Sequence, residues 1–219
     1  MSRSGINGLY AITPDVTDTA DLVALTQQAL TGGARLVQYR NKTADATLRL
    51  EQAHTLINLC RKFAVPLIIN DHLDIAIKVG ADGVHLGQAD ACITEARHRL
   101  GPGKIVGASC YNRLESAIEA ERQGADYVAF GAFFVSATKP GAVTAAMSLL
   151  PQAKRRIQVP VVAIGGITSD NAMQLIQRGA DAVAVSGALF GASNTQSAAA
   201  QFSRLYNPAL YSPHTRVIQ

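Results

Sequence analysis

A short pattern recurs along the chain and constrains its fold more than any other feature. Gly-Ala-Asp followed by an apolar run occurs at Gly80, Gly124 and Gly179, and a looser copy, Gly-Ala-Arg, occurs at Gly33. The copies lie about 45 to 55 residues apart, the length of two strand–helix units when one β-α-β crossover takes about 30 residues. Each glycine follows a helical pattern, where it can adopt the left-handed conformation that ends a helix. Four copies therefore predict eight strands.

The segments between the copies alternate between helical and strand patterns. Strict alternation predicts a parallel sheet, and eight units close it into a single (βα)8 TIM barrel of the α/β class. An open doubly wound sheet is the alternative, although that fold is not expected to show a fourfold repeat. Besides a strand after each copy, strands are predicted at 8–13, 65–70, 104–109 and 159–165, and helices at 21–30, 45–63, 73–79, 93–100, 112–123, 144–157, 170–178 and 195–206.

Composition is consistent with one globular barrel. The chain has 219 residues, of which 48% are hydrophobic and 16% charged, enough for a sizeable core. The apolar runs fall short of the ~20 residues that a membrane span needs, and the first residues lack the apolar stretch of an export signal. We expect one barrel domain over residues 1–206, a loosely ordered tail over residues 207–219, and no membrane partner.

Cysteine and charge patterns bear on the compartment and on the partners. Cys60, Cys92 and Cys110 are odd in number and lack ligand-like spacing, so we expect reduced packing residues in a cytoplasmic protein. The net charge of +4 suits anionic substrates or nucleic acid. The one basic cluster, residues 154–156, falls in a predicted helix, and no basic stripe with interleaved aromatics accompanies it. Nucleic acid is therefore not expected as a partner.

Polar residues follow the third and fourth predicted strands. Asn70 and Asp71 follow one buried run, and Gln88 and Asp90 follow the next. Because neighbouring parallel strands end at the same rim, the two carboxylates can converge there on a hard cation such as Mg²⁺. The alternative is that Asp71 and Asp90 are separate helix N-caps, a common role of aspartate after a strand.

The other strand ends also deliver groups suited to anions. Loops after the seventh and eighth strands of such barrels often bind phosphate, and Gly165-Gly166 and Ser186-Gly187 fit that arrangement, although glycines also serve simply as turn residues. The charges of Mg²⁺, of the two carboxylates and of three basic side chains (Arg40, Lys42 and Lys139) sum to about +3, which matches a diphosphate. Each cation could instead extend into solvent. The remaining rim candidates are Gln38, Arg40, Lys42, Ser109, Ser136, Thr138 and Lys139.

With these residues in place, the chain resembles the thiamine-phosphate synthase family over essentially residues 5–206. The motifs that carry the resemblance occur in order along the chain. They are QYRNK from Gln38, IND ending at Asp71, ADGVHLGQAD ending at Asp90, GAS ending at Ser109, SATK from Ser136, IGGI containing Gly166, and AVSG containing Ser186. One departure is Ser136, where many members of the family have threonine, and the hydroxyl is kept.

The resemblance implies a transferase that joins 4-amino-2-methyl-5-(diphosphooxymethyl)pyrimidine to 4-methyl-5-(2-phosphoethyl)thiazole and releases diphosphate. It implies a dissociative reaction with Mg²⁺ held by Asp71 and Asp90. It assigns Lys139, Arg40, Lys42 and Ser109 as catalytic. The implied contacts to the pyrimidine diphosphate are Gln38, Tyr39, Arg40, Asn41, Lys42, Asn70, Ser109 and Lys139, and those to the thiazole phosphate are Ser136, Ala137, Thr138, Gly166, Val185 and Ser186.

Two other functions remain open at this point. A related thiazole tautomerase would bind the thiazole phosphate but needs no diphosphate site, and a phosphate-binding regulator would need no catalytic groups. The combination of Asp71, Asp90, Arg40 and Lys139 argues against both.

Residues 137–143 are the predicted cover that excludes water from the reacting cation. The sequence leaves the oligomeric state open, and a homo-oligomer is compatible with it.

Overall fold

The structure is a closed barrel of eight parallel strands. A computed structural model describes residues 5–87, 90–135 and 143–206. The strands are hydrogen-bonded in chain order and the first closes on the last, with Leu9 beside Val183. The predicted (βα)8 barrel is therefore confirmed, and the open-sheet alternative is wrong.

Helices and strands alternate around the barrel. The strands are β1 (Gly8–Ile12), β2 (Leu36–Tyr39), β3 (Leu67–Asn70), β4 (Gly83–Leu86), β5 (Ile105–Tyr111), β6 (Tyr127–Phe130), β7 (Val161–Ile164) and β8 (Ala182–Val185). The helices are α1 (Thr19–Thr31), α2 (Ala46–Lys62), α3 (Leu73–Val79), α4 (Ile93–Leu100), α5 (Leu114–Arg122), α6 (Leu149–Arg156), α7 (Ser169–Ile176), α8 (Gly187–Phe190) and α9 (Thr195–Arg204).

Most predicted boundaries agree with the structure within a few residues, but one helix begins later than predicted and one short helix was not predicted. The helix predicted from residue 144 begins only at Leu149. Backbone bonds join Ala132 N to Val143 O at 3.0 Å and Ala145 N to Ala132 O at 2.8 Å, so the chain there is held against the end of β6. The short helix α8 was not predicted, because four residues show no helical period.

The glycine and the aspartate of the recurring Gly-Ala-Asp pattern have structural roles. Gly80 ends α3 in the left-handed conformation, with φ of 64°, as predicted. The three aspartate carboxylates accept hydrogen bonds from backbone N–H groups at the start of the preceding odd-numbered strands. The pairs are Asp82 Oδ2 with Leu67 N (2.8 Å), Asp126 Oδ2 with Val106 N (2.8 Å) and Asp181 Oδ2 with Val161 N (2.7 Å). Each aspartate thus ties neighbouring strands at the rim opposite to the candidate site.

Two apolar layers stabilise the barrel. An inner layer fills the barrel itself and includes Tyr10, Ile68, Tyr127 and Val162. An outer layer, made of two clusters, packs the other faces of the strands against the helices. Successive strand residues therefore alternate between the two layers. This alternation decides which polar side chains of β2 and β5 face the interior.

Cysteine packing is confirmed at two of the three positions. Cys60 and Cys110 are buried, and all three thiols are free. Cys92 is exposed beside α4, so the predicted packing role is wrong there: it precedes the first turn of α4 instead of facing the barrel. Within the described part of the chain no helix is long and apolar enough to cross a membrane. The domain boundary at residue 206 stays a prediction, and residues 207–219 lie outside the described ranges.

Candidate active site

The loop after β1 holds the predicted cations that follow β2. Strand β2 ends at Tyr39, so Arg40 and Lys42 lie in the loop that follows it. The buried Thr13 Oγ1 donates to Arg40 O at 3.0 Å and accepts from Arg40 N at 2.9 Å. Asp15 Oδ1 lies 3.4 Å from Arg40 Nη1 and accepts from Lys42 N at 2.9 Å. Thr13 and Asp15 are thus positioning residues that sequence reasoning missed.

The side chains of Tyr39 and Asn41 are engaged inside the protein. Tyr39 Oη donates to Gln52 Oε1 at 2.8 Å, and Asn41 Nδ2 donates to Val16 O at 2.8 Å and to Gln52 Oε1 at 3.0 Å. The Asn41 side-chain oxygen, Oδ1, accepts from the backbone N–H groups of Thr43 and Ala44 at 3.1 and 3.0 Å. Both residues line the rim cavity, and their predicted contacts with the pyrimidine diphosphate stay predictions.

Asp71 lies at the end of β3 in an uncommon conformation. Its φ of 61° is in the left-handed region, which non-glycine residues adopt at a cost of about 1 to 3 kcal/mol. Its backbone N–H donates to His85 O at 2.9 Å, which extends the pairing of β3 with β4 to the rim. Such an outlier often marks a functional residue, because the surrounding structure must compensate for the strain.

The two predicted metal ligands are neighbours. Burial and the hydrogen-bonded Asp90 carboxyl raise the pKa of Asp71 to about 6, against the opposing effect of the Lys42 ammonium. Asp90 Oδ2 also accepts from Gly87 N at 2.6 Å, which fixes the carboxylate beside the end of β4. Among the described residues no cluster of three or more His, Cys, Asp or Glu side chains could hold a metal. A pair of carboxylates is therefore what the protein itself offers to a hard cation.

The N-cap alternative for these aspartates is wrong. The N-cap of α3 is His72 and that of α4 is Cys92, and neither cap is formed by a side-chain hydrogen bond. Asp71 and Asp90 each lie before the cap position of the helix that follows. Their carboxylates are therefore not used to cap those helices.

A further cation, not predicted from the sequence, lies in the rim cavity. This cavity of about 260 Å³ is lined by Arg40, Lys42, Asn70 and Asp71, and also by Arg49 from the first turn of α2. Arg49 Nη2 donates to a loop carbonyl at 2.5 Å, whereas its Nε is buried with no hydrogen-bond partner among the described residues. A base in the first turn opposes the helix dipole, which was the available signal.

Ser109 and Gln38 face the barrel interior from β5 and β2. Ser109 lies next to an irregularity in the pairing of β5 with β6, the kind of feature that often redirects side chains beside active sites. Its hydroxyl is half-buried and lines a groove of about 380 Å³ together with Gly87 and Asp90. Gln38 is buried, and its amide nitrogen donates to Tyr10 Oη at 2.8 Å. Both predicted residues therefore face the barrel interior, and Ser109 also lines this groove.

The ends of β7 and β8 lie side by side, as the phosphate prediction requires. Ile164 pairs with Ala184, which places Gly166 near Ser186. Val185 is buried in the outer apolar layer, so only its backbone can reach a ligand. The glycine pair also has a packing role: a Cβ on Gly165 would lie 2.4 Å from Ala132 Cβ, and one on Gly166 would lie 2.5 Å from Val135 O.

Part of the predicted site lies outside the described residues. This applies to Ser136, Ala137, Thr138 and Lys139, to Gln88, and to most of the predicted cover at 137–143. Their assignments stay predictions.

Comparison with known proteins identifies the family. A family model described as thiamine monophosphate synthase matches residues 9–189. The chain belongs to the thiamine monophosphate synthase family. The match includes all the rim segments described above, and the resemblance inferred from the motifs is confirmed.

Named relatives cover nearly the whole chain. The thiamine-phosphate synthase of Nitrosospira multiformis is 62% identical over 211 residues, which are 96% of this chain and 90% of that protein. The thiamine-phosphate synthase of Nitrosomonas eutropha is 53% identical over 94% of this chain and 97% of that protein. The solved thiamine phosphate pyrophosphorylase of Pyrococcus furiosus superposes with a TM-score of 0.83 at 35% identity, over 92% of this chain and 96% of that chain.

Substitution of Arg49 tests whether this member of the synthase family uses a basic side chain beyond those predicted from the sequence. Arg49→Gln is expected to raise the KM for the pyrimidine diphosphate by about tenfold or more, since a hydrogen bond to a charged group contributes about 1.5 to 3 kcal/mol. Steady-state kinetics check it. Arg61→Gln is the matched control, because Arg61 is exposed at the far end of the same helix. Equal KM values for the Arg49→Gln and Arg61→Gln enzymes would contradict the assignment.

Gly166 tests packing at the proposed phosphate loop. Gly166→Ala is expected to lower the free energy of unfolding by more than the roughly 1 kcal/mol that a left-handed alanine costs, because its Cβ would also collide with Val135 O. Gly103→Ala is the control, since Gly103 has φ of 80° and nothing within 4 Å of such a Cβ. Urea unfolding measures the free energy of unfolding of both variants. An equal decrease in the two variants would contradict a cost from the collision with Val135 O.

Proposed function

We propose that this chain joins 4-amino-2-methyl-5-(diphosphooxymethyl)pyrimidine to 4-methyl-5-(2-phosphoethyl)thiazole, giving thiamine phosphate and diphosphate. Family membership and relatives named thiamine-phosphate synthase support this reaction. The observation that carries it is one rim cavity where Arg40, Lys42 and Arg49 lie with Asp71. Three cations beside a carboxylate pair suit a diphosphate together with a divalent ion.

Asp71 and Asp90 would hold the Mg²⁺ ion. The donor set fits, because Mg²⁺ prefers carboxylate oxygens, takes few ligands from the protein and fills the rest with water and substrate phosphate. The orientation of Asp90 by Gly87 N and the constrained backbone of Asp71 support a preorganised pair. When bound, the ion would supply positive charge to the oxygens of the diphosphate.

The residues of the chain would act mainly on the leaving group. In the proposed dissociative step, the bond between the pyrimidine methylene carbon and the diphosphate oxygen breaks, and its electron pair leaves with the diphosphate. Arg40, Lys42 and Lys139, with Arg49, would stabilise the charge that grows there. The thiazole nitrogen then donates its electron pair to the pyrimidinyl cation. This step needs no nucleophilic side chain, and it needs water to be excluded while the cation exists, for which residues 137–143 stay the proposed cover.

The thiazole phosphate would bind at the neighbouring ends of β7 and β8. Gly166, Val185 and Ser186 are proposed contacts, joined by Ser136, Ala137 and Thr138. The side-by-side ends of the two strands support a shared anion site there, because backbone N–H groups of adjacent loops can converge on a phosphate. Ser186 is half-buried at this position, so its hydroxyl is accessible to a ligand.

A single-turnover assay with both substrates and Mg²⁺ tests the proposal. Enzyme in excess over the pyrimidine diphosphate is expected to form thiamine phosphate and diphosphate in equal amounts. Isomerisation of a thiazole phosphate without release of diphosphate would identify the tautomerase instead. Tight binding of a phosphorylated substrate with no product would identify the regulator. Either outcome would overturn the proposed reaction.

The cytoplasm is the proposed compartment. All three cysteines are free thiols, the usual state in a reducing compartment. The proposed partners are the two phosphorylated substrates, with a homo-oligomer compatible with the sequence.

A further inference from the structure

A continuous chain of hydrogen bonds crosses the barrel interior from β2 to β5. Gln38 Nε2 donates to Tyr10 Oη at 2.8 Å, and Tyr10 Oη lies 2.8 Å from Tyr127 Oη. Tyr127 Oη lies 2.8 Å from His85 Nδ1, and His85 Nε2 lies 2.8 Å from Ser109 Oγ. The chain therefore joins two predicted contacts to the pyrimidine diphosphate through three residues with no role assigned so far.

The three internal members of the chain are shielded from solvent. Tyr10, His85 and Tyr127 are all buried. Burial raises the pKa of both tyrosines above the ordinary value, so each phenol keeps its proton at neutral pH. Both ring nitrogens of His85 lie at hydrogen-bond distance from a hydroxyl, Nδ1 from Tyr127 and Nε2 from Ser109. Each link of the chain can then hold one hydrogen atom, so the links must all point the same way.

The amide of Gln38 decides that direction. Its nitrogen can only donate, so Tyr10 Oη accepts from it and directs its own proton to Tyr127 Oη. Tyr127 then donates to His85 Nδ1, which must be the unprotonated ring nitrogen. His85 consequently carries its proton on Nε2 and donates to Ser109 Oγ. Among the hydrogen bonds of the described residues, none uses the Ser109 proton, which remains available at the barrel mouth.

The packing of the rings holds this arrangement in place. The His85 and Tyr127 rings are stacked at 5.5 Å with an interplanar angle of 22°, and Tyr10 meets Tyr127 edge-on at 5.9 Å. Gly107 creates the space, since a Cβ there would lie 2.0 Å from Tyr127 Cζ. A side chain at residue 107 would thus displace the central phenol of the chain.

We propose that His85 is a positioning residue. Oriented by Tyr127, it does not contact the substrate, but it makes Ser109 donate its hydroxyl proton to an acceptor atom of the pyrimidine substrate. This inference rests on the proposed function for the identity of that substrate. It specifies the chemistry that Ser109 recognises: a ring nitrogen or another lone pair. A substrate analogue without an acceptor at this position would lose the bond.

The protonated nitrogen of His85 can be measured without substrate. The chain has five histidines, so ¹⁵N-histidine labelling with a His85→Gln variant assigns the His85 signals. The expected spectrum at pH 7 shows a protonated Nε2 and an unprotonated Nδ1, and Tyr127→Phe, which removes the donor to Nδ1, should give a mixture of tautomers. A protonated Nδ1 in the unmodified enzyme would overturn the proposal, because the chain would then run in the opposite direction.

Kinetics with two isosteric variants test the action through Ser109. The His85→Gln side chain places its amide N–H near the position of Nε2. The His85→Asn side chain is shorter, and its amide reaches only the position of Nδ1. We expect His85→Asn to lower kcat/KM by about threefold to tenfold, the effect of one neutral hydrogen bond, and His85→Gln to lower it less.

A double-mutant cycle separates positioning from a general structural effect. In a Ser109→Ala background His85→Asn is expected to cause no further loss of kcat/KM, since its partner is already absent. The same fractional loss in both backgrounds would overturn the proposal and make His85 a packing residue. Failure of the proposed function would appear differently, as absence of thiamine phosphate from the unmodified enzyme, while the tautomer measurement would be unaffected.

Discussion

Lys139→Ala is expected to lower kcat by about 100- to 1,000-fold, the typical effect of removing one donor that stabilises charge developing in a transition state. A cation whose partner gains charge as the bond breaks stabilises the transition state more than the bound substrate. The loss should therefore appear mainly in kcat, with a smaller change in KM for the pyrimidine diphosphate. Pre-steady-state and steady-state kinetics on purified enzyme measure both constants.

Two further variants define what Lys139 does. Lys139→Arg asks whether charge alone is sufficient, and Lys62→Ala is the control, because Lys62 is exposed at the end of α2, away from the rim cavity. A Lys139→Ala enzyme with unchanged kcat and only a raised KM would show that Lys139 stabilises the bound substrate and the transition state equally. The role in leaving-group departure would then have to be abandoned.

Asp90→Asn is expected to lower Mg²⁺-dependent turnover by roughly 100-fold or more, since a bound metal contributes several kcal/mol of charge stabilisation in the transition state. Asparagine removes the charge but keeps an oxygen that can accept from Gly87 N, so the loop should be retained. The stability of the variant should change little, because Asp90 is exposed. Turnover measured across Mg²⁺ concentrations, with thermal unfolding of each protein, checks both parts.

Asp74→Asn is the matched control for this experiment. Asp74 lies in the first turn of α3, is 84% exposed and pairs with Arg99 instead of lining the rim cavity. Near-normal turnover of Asp90→Asn at ordinary Mg²⁺ would end the assignment of the metal site. A loss of turnover in Asp90→Ala but not in Asp90→Asn would show that Asp90 acts by accepting the hydrogen bond from Gly87 N, which holds the loop after β4.

Much of the candidate site followed from strand order alone. Once eight parallel strands are predicted, their carboxyl ends must meet at one rim, so Arg40, Asp71 and Asp90 could be placed together without a structure. The convergence of Arg40 and Asp71 on one cavity, and of Asp90 with Asp71, agrees with that reasoning. Residues 136–139 belong to the same prediction and lie outside the described ranges.

Other parts of the site depend on contacts between residues far apart in the chain. Arg49 lines the rim cavity together with Asn70, Asp71 and His72, which lie at the end of the next strand along the chain. The link from Tyr10 to Tyr127 spans 117 residues, and no local pattern distinguishes these tyrosines from ordinary core aromatics. The collision that restricts Gly166 comes from the backbone of Val135, on the loop of the preceding strand.

The sequence by itself determined the barrel, because a fourfold repeat and strict strand–helix alternation leave few other ways to bury the apolar runs. It also determined which loops form the candidate site, since direction along the chain decides which end of each parallel strand reaches that rim. Only the tertiary structure decided which contacts those groups make. It showed that Tyr39 and Asn41 are engaged internally, that Asp71 and Asp90 share one environment, and that His85 connects Tyr127 to Ser109. These outcomes depend on distances and burial across the closed barrel, which local sequence does not encode.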